Sequence, residues 1–144
     1  QRDRSQAIMN EIIAILDDPE THGTEDEVAD VIATQATEAA VRDDDVFGPY
    51  PYREGFYNTL CFDGADARIE VYVSWLSEDG TQGGFLWMWS GTNPGGHPFE
   101  LAGISLIEFA EDGRIAYERV TYPYPDEYVY EAWMGRGTEI PSTG

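Results

Sequence analysis

Lysine is absent from this chain: all eight basic residues are Arg, set against 28 Asp and Glu and two His, for a formal charge of −20. Without lysine there is no Schiff-base amine and no phosphate-loop lysine. The excess of negative charge repels phosphate backbones and anionic bilayers, so nucleic acid and membrane surfaces are excluded as partners. Two readings account for the charge itself: adaptation to salt or a host preference for Arg and acids, or an acidic surface that recruits a cationic substrate. Cysteine is nearly absent too. Cys61 alone permits neither an intrachain disulfide nor a multi-cysteine zinc site, and its setting in Leu60-Cys61-Phe62 reads as a packed, inert thiol. No apolar run approaches the ~20 residues that cross a bilayer. The opening Gln1-Arg2-Asp3-Arg4 has neither Met nor an apolar signal core, which suggests a trimmed start and a cytoplasmic protein.

What is present is globular. Hydrophobic residues make up 42% and aromatics 13% of 144 residues, enough for one domain around one core. The whole chain reads as a single domain, with 135–144 a frayed tail. Ile8, Ile12, Ile15 and Leu16 recur at helical spacing behind a candidate cap at Ser5, and Asp17-Asp18-Pro19 ends that helix. Thr24 with Glu27 forms a capping box for a second helix, whose stripe of Val28, Val31, Ile32, Ala36 and Ala39 carries it to Arg42. Val46 to Tyr52 reads as a short edge strand or loop, and Arg53 to Leu60 as a brief helix. Strand patterns then dominate: Arg68–Leu76, Gly83–Ser90, Phe99–Phe109 and Arg114–Tyr124, the last two joined by the tight turn at Asp112-Gly113. A closing helix is expected over Asp126–Met134. Helices first and an antiparallel meander afterwards give an α+β fold in which a curved antiparallel sheet packs against N-terminal helices. The curl leaves a cone-shaped, aromatic-lined interior suited to a hydrophobic small molecule.

Three strings in the second half carry a resemblance. They are Trp89-Ser90-Gly91-Thr92, Gly96-His97-Pro98-Phe99-Glu100-Leu101-Ala102-Gly103-Ile104-Ser105, and Glu108-Phe109 with Asp112-Gly113-Arg114-Ile115. In this order they resemble the SnoaL-like branch of the nuclear transport factor 2-like superfamily, over roughly residues 5 to 134. The resemblance implies a cystatin-like α+β barrel and a family of polyketide cyclases, ketosteroid isomerases, dehydratases and epoxide hydrolases, beside members with no known activity. It also implies pairing through the outer face of the sheet, hence a homodimer. The polar positions of the steroid isomerases are missing here. Their oxyanion-binding Asp corresponds to Ser105, their general-base Asp to the neighbourhood of Gly48-Pro49, and their first-helix Tyr to that of Ile12. The last-strand Asp of limonene epoxide hydrolases falls on Val120, and the late acid of the cyclases has Glu118 or Asp126 as its nearest match.

With Ser105 facing inward, alternation places Leu101, Gly103 and Ile107 beside it, and the resemblance turns Glu118, Val120 and Tyr122 inward on the last strand. Glu118 then stands as an acid in an aromatic chamber, where desolvation raises a carboxyl toward proton-shuttling range. The alternative is a register one residue off, with Glu118 a solvated strand residue. The expected catalytic set is Glu118, Tyr122, Ser105 and His97, the last at the pocket mouth, with Asp126 a helix cap rather than a catalyst. The expected ligand contacts are Tyr52, Tyr72, Trp87, Trp89, Leu101, Gly103, Ile107 and Val120. No cofactor is called for and no metal site is read; Asp43-Asp44-Asp45 reads as a solvated run. The expected activity is cofactor-free acid–base chemistry on an oxygenated polyketide- or terpenoid-like molecule: cyclisation, isomerisation or dehydration. The alternative is a non-catalytic binding or dimerisation module.

Overall fold

A computed structural model describes residues 1–17, 25–55, 68–93 and 95–134, with side chains from residue 27 in the second segment. The elements are α1 (Arg2–Asp17), α2 (Glu25–Ala33), β1 (Ala36–Asp44), β2 (Gly48–Pro51), β3 (Arg68–Leu76), β4 (Gln82–Thr92), β5 (Pro98–Phe109), β6 (Ile115–Thr121) and α3 (Asp126–Met134). The six strands form one curved, unclosed sheet in the order β2-β1-β6-β5-β4-β3. All neighbours are antiparallel except β1 and β6, which run parallel.

The sixth strand corrects the expected length of the second helix. That helix stops at Ala33, where Thr34 turns the chain by donating its hydroxyl to the Val31 carbonyl at 2.6 Å. Residues 36–44 then run as a strand, so Ala36 and Ala39 leave the helical stripe and Ala39 faces solvent. The buried positions of β1 are Ala36, Ala40, Arg42 and Asp44. A strand whose buried face carries two charges leaves no apolar alternation to read, and its alanines favour a helix by propensity. The proposed edge strand at 46–52 is β2, and Tyr52 to Gly55 continues it as one helical turn. The rest of that helix, the Thr24 cap and Cys61 lie outside the described residues.

Ser5 is not a cap. Helix α1 begins at Arg2, and the Ser5 hydroxyl, buried, donates to the Gly80 carbonyl at 2.7 Å. The Gln1 amide reaches the Ala110 carbonyl at 2.7 Å, so the start of α1 is tied to the β3–β4 and β5–β6 turns together. Both turns hold a glycine at positive φ, Gly80 at 77° and Gly113 at 89°. A Cβ at either would lie 2.4 Å from the Arg2 Cα or 2.6 Å from the Arg4 Cβ, so glycine there serves conformation and close packing at once. Met9, Ile12, Ile15 and Leu16 then lie inward against the sheet, in one core with Phe85, Trp89, Leu101, Ile107, Ile115 and Val120.

Candidate active site

Arg42 and Glu118 are direct partners across the parallel β1–β6 pair. Arg42 Nε lies 3.4 Å from Glu118 Oε2, and the two side chains are 4% and 3% exposed. Two hydroxyls complete the cage: Ser105 Oγ donates to Oε2 at 2.7 Å and Tyr52 Oη to Oε1 at 3.2 Å. An indole N–H can only donate, so Trp87 Nε1, 2.9 Å from Ser105 Oγ, fixes the direction of the chain: Trp87 to Ser105 to Glu118. Trp87 fits there because residue 103 is glycine; a Cβ at that position would stand 2.2 Å from the indole ring.

A second carboxylate stands two residues along β1. Asp44, also buried, accepts the backbone N–H groups of Val46 and Phe47 at 2.9 and 3.1 Å and the Tyr122 hydroxyl at 2.6 Å. Arg42 is thus a buried cation with a carboxylate on either side. Burial alone would lower its pKa, but Glu118 and Asp44 outweigh that and hold it above the ordinary arginine value. Burial, with the charge of the neighbouring carboxylate, pushes the Tyr52 hydroxyl far above the usual tyrosine value, through Glu118, and the Tyr122 hydroxyl likewise, through Asp44.

Arg42 also separates two hollows. The inner one, about 10 Å³ and at the lower limit for a single water, is lined by Glu118, Ser105, Trp87, Phe85 and apolar residues of α1 and β3. The outer one, about 170 Å³, is lined by Arg42, Asp44, Phe47, Tyr50, Gly55, Trp89 and Trp133. Phe47 packs on Trp133 with ring centroids 4.9 Å apart and meets Trp89 edge-on at 6.4 Å.

The structure brings Glu118, Ser105, Tyr52 and Trp87 together, and puts Tyr122 beside Asp44 instead of Glu118. Around Glu118 the expected apolar chamber is a cage of donors, and the Ser105 hydroxyl is engaged with it. His97 is exposed in a separate groove with Asn93, Phe99, Glu100 and Tyr128, held there by the Asn93 side chain on its backbone N–H at 2.9 Å. Tyr72 is 56% exposed on the far side of β3. Alternation with the inward Ile69 and Val71 already puts it on the outer side with Glu70, and it is the extra residue of a bulge, since Val71 pairs with Trp87 and Val73 with Leu86, which leaves Val73 and Trp75 exposed as well. Trp89 lines the outer hollow, whereas Leu101, Ile107 and Val120 are core residues on the wall of neither. Asp43 to Asp45 is not a uniformly solvated run: Asp44 is buried, Asp43 accepts from Tyr117 at 2.7 Å, and Asp45 meets Arg119 at 2.8 Å. Arg42 and Asp44 are the residues that sequence reading missed, because the unbroken run Arg42-Asp43-Asp44-Asp45 does not mark which of its charges turn inward. Among the described residues no cluster of three or more His, Cys, Asp or Glu could hold a metal ion. No described helix is long and apolar enough to cross a membrane.

Comparison with solved structures settles the architecture. A putative SnoaL-like polyketide cyclase from Jannaschia sp. CCS1 superposes with a TM-score of 0.67 at 12% identity, over 92% of this chain and 93% of that one. The chain has the α+β fold of these proteins. An NTF2-like protein of unknown function from Burkholderia pseudomallei K96243 gives a TM-score of 0.69 at 10% identity, over 92% and 98% of the two chains. The epoxide hydrolase/cyclase-like enzyme SalBIII, described in pyran ring formation in polyether salinomycin, gives 0.61 at 16% identity, over 83% and 91%. No family model and no curated protein matches this chain in sequence. At such identities the likeness is one of fold.

Proposed function

We propose that this domain is a cofactor-free acid–base enzyme for a small oxygenated organic molecule, with cyclisation, isomerisation or dehydration as its reaction class. The observation that carries the reading is the buried array Asp44–Arg42–Glu118, two carboxylates on either side of one guanidinium, each taking a tyrosine hydroxyl. Such an array sets two carboxylates, each oriented by a hydroxyl donor, beside one cation, the kind of polar machinery that acid–base work uses. Glu118 is the proposed proton-transfer group at the inner hollow. Asp44 and Arg42 face the outer hollow, where the bulk of a ligand fits. That SnoaL-like cyclases and an epoxide hydrolase/cyclase-like enzyme share the fold supports the class of chemistry.

The test is turnover on a panel of small ketones, epoxides and alcohols, seeded by any ligand retained through purification and identified by mass spectrometry. Glu118→Gln keeps the shape of the side chain and is expected to lower turnover about 10²-fold or more. Unchanged turnover would remove Glu118 from the mechanism. One observation favours a second reading, a non-catalytic binding module: the donors around Glu118 are already satisfied, as in an ion cluster kept for structure.

A homodimer is the partner we propose. On the outer face of the sheet Val73, Leu86 and Ile104 form one cross-strand row, with Trp75 and Leu106 on either side of Gly84 in another. All five are 39–53% exposed. Two copies of a chain with a formal charge of −20 need an uncharged patch in order to meet, and these five side chains supply one.

A further inference from the structure

The outer hollow has a charge character of its own. Among the described residues its charged lining is Arg42 and Asp44, and Arg42 is already shared with Glu118 behind it. In formal charges one guanidinium faces two carboxylates, leaving the buried wall one negative charge in excess. The other described residues of the lining are Gly55 and four aromatics, Phe47, Tyr50, Trp89 and Trp133. Aromatic faces carry negative potential, and they attract a cation most when water is excluded. The chain around the hollow adds a long-range field of the same sign, from a formal charge of −20.

We infer that the outer hollow selects a small organic cation, an amine in its ammonium form, over a neutral or anionic molecule of the same shape. An anion would have to compete with two carboxylates for Arg42 and would lie against the negative faces of the rings. An ammonium group would share the hollow with the Asp44 carboxylate and four aromatic side chains. Size narrows the class further. The hollow measures about 170 Å³, well below the ~300–1,000 Å³ of drug-sized sites, so the ligand has roughly ten non-hydrogen atoms. The inference rests on the proposed reading of this hollow as the ligand site, but not on catalysis there.

The experiment compares benzylamine, benzyl alcohol and benzoate at neutral pH, three probes with one ring and three charges. Binding is followed by calorimetry and by tryptophan fluorescence in about 1 M KCl, where a Debye length near 3 Å removes attraction to the acidic surface. Benzylamine is expected to bind about tenfold more tightly than benzyl alcohol, with benzoate weakest. Trp133→Leu, a change at a half-buried position, is expected to weaken benzylamine more than the alcohol. Equal or tighter binding of the alcohol or benzoate would overturn the charge preference while leaving the hollow a ligand site. Benzylamine binding that Trp133→Leu does not change would place the cation elsewhere and overturn the inference. No saturable binding of any probe up to about 10 mM would overturn both the inference and the ligand-site reading. The Glu118→Gln turnover assay reports on catalysis alone.

Discussion

Arg42 and Glu118 occupy the same register position on adjacent parallel strands, so that neither can leave the interior without breaking the β1–β6 pairing. Removing one partner would strand the other as an uncompensated buried charge. Arg42→Met is expected to cost about 3–5 kcal/mol of folding stability, read from the urea midpoint. The double variant Arg42→Met with Glu118→Met should recover part of that loss, because Glu118 is no longer stranded while Asp44 still lacks its cation and Ser105 and Tyr52 their acceptor. A double variant as unstable as the single would show that the pair contributes more than its mutual compensation.

Gly103 is where the floor of the site is set. Gly103→Ala drives a methyl into the Trp87 indole, and the ring must move from its hydrogen bond to Ser105. The expected loss is about 1–3 kcal/mol from overpacking, with a shift in tryptophan emission as Trp87 changes environment. A stable variant with unaltered emission would mean that the sheet yields instead of the ring.

Two tyrosines set an alkaline limit. Below pH 10 the Tyr52 and Tyr122 hydroxyls are protonated in both the folded and the unfolded chain and do not affect the balance. Above it the unfolded chain sheds those protons while the folded one retains them, because burial beside Glu118 and Asp44 raises both. Unfolding therefore gains, and stability falls as pH climbs beyond about 10. Ultraviolet titration should show two of the nine tyrosines withheld until the chain unfolds. Phenylalanine at either position should reduce the steepness of that decline.

The outer sheet face should respond to charge. Leu106→Glu adds an acid to an exposed apolar patch on a chain already at −20, with little consequence for the fold of a monomer. By gel filtration with light scattering the wild-type chain is expected as a dimer and the variant as a monomer. A monomeric wild-type chain would end the dimer proposal.

Much of the fold was legible before any coordinates. The meander from Arg68 to Tyr124 follows from period-two alternation punctuated by Glu78-Asp79-Gly80 and Asp112-Gly113, and α3 spans Asp126–Met134 as expected. What misled was β1, because its alanines carry helical propensity and its buried positions are charged. The bulge at Tyr72 was equally silent, since one unpaired residue leaves no mark on composition.

The amino-acid sequence by itself determined the class of fold, the strand order of the final hairpins and the exclusion of lysine chemistry. These depend on local periodicity, turn residues and composition, all of which reside in consecutive positions. Only the tertiary structure decided that Arg42 and Asp44 belong to the site, that Tyr122 serves Asp44, and that His97 and Tyr72 stand apart from it. Such facts depend on which strand lies beside which. The β1–β6 pairing joins residues 76 positions apart, and no local pattern encodes that distance.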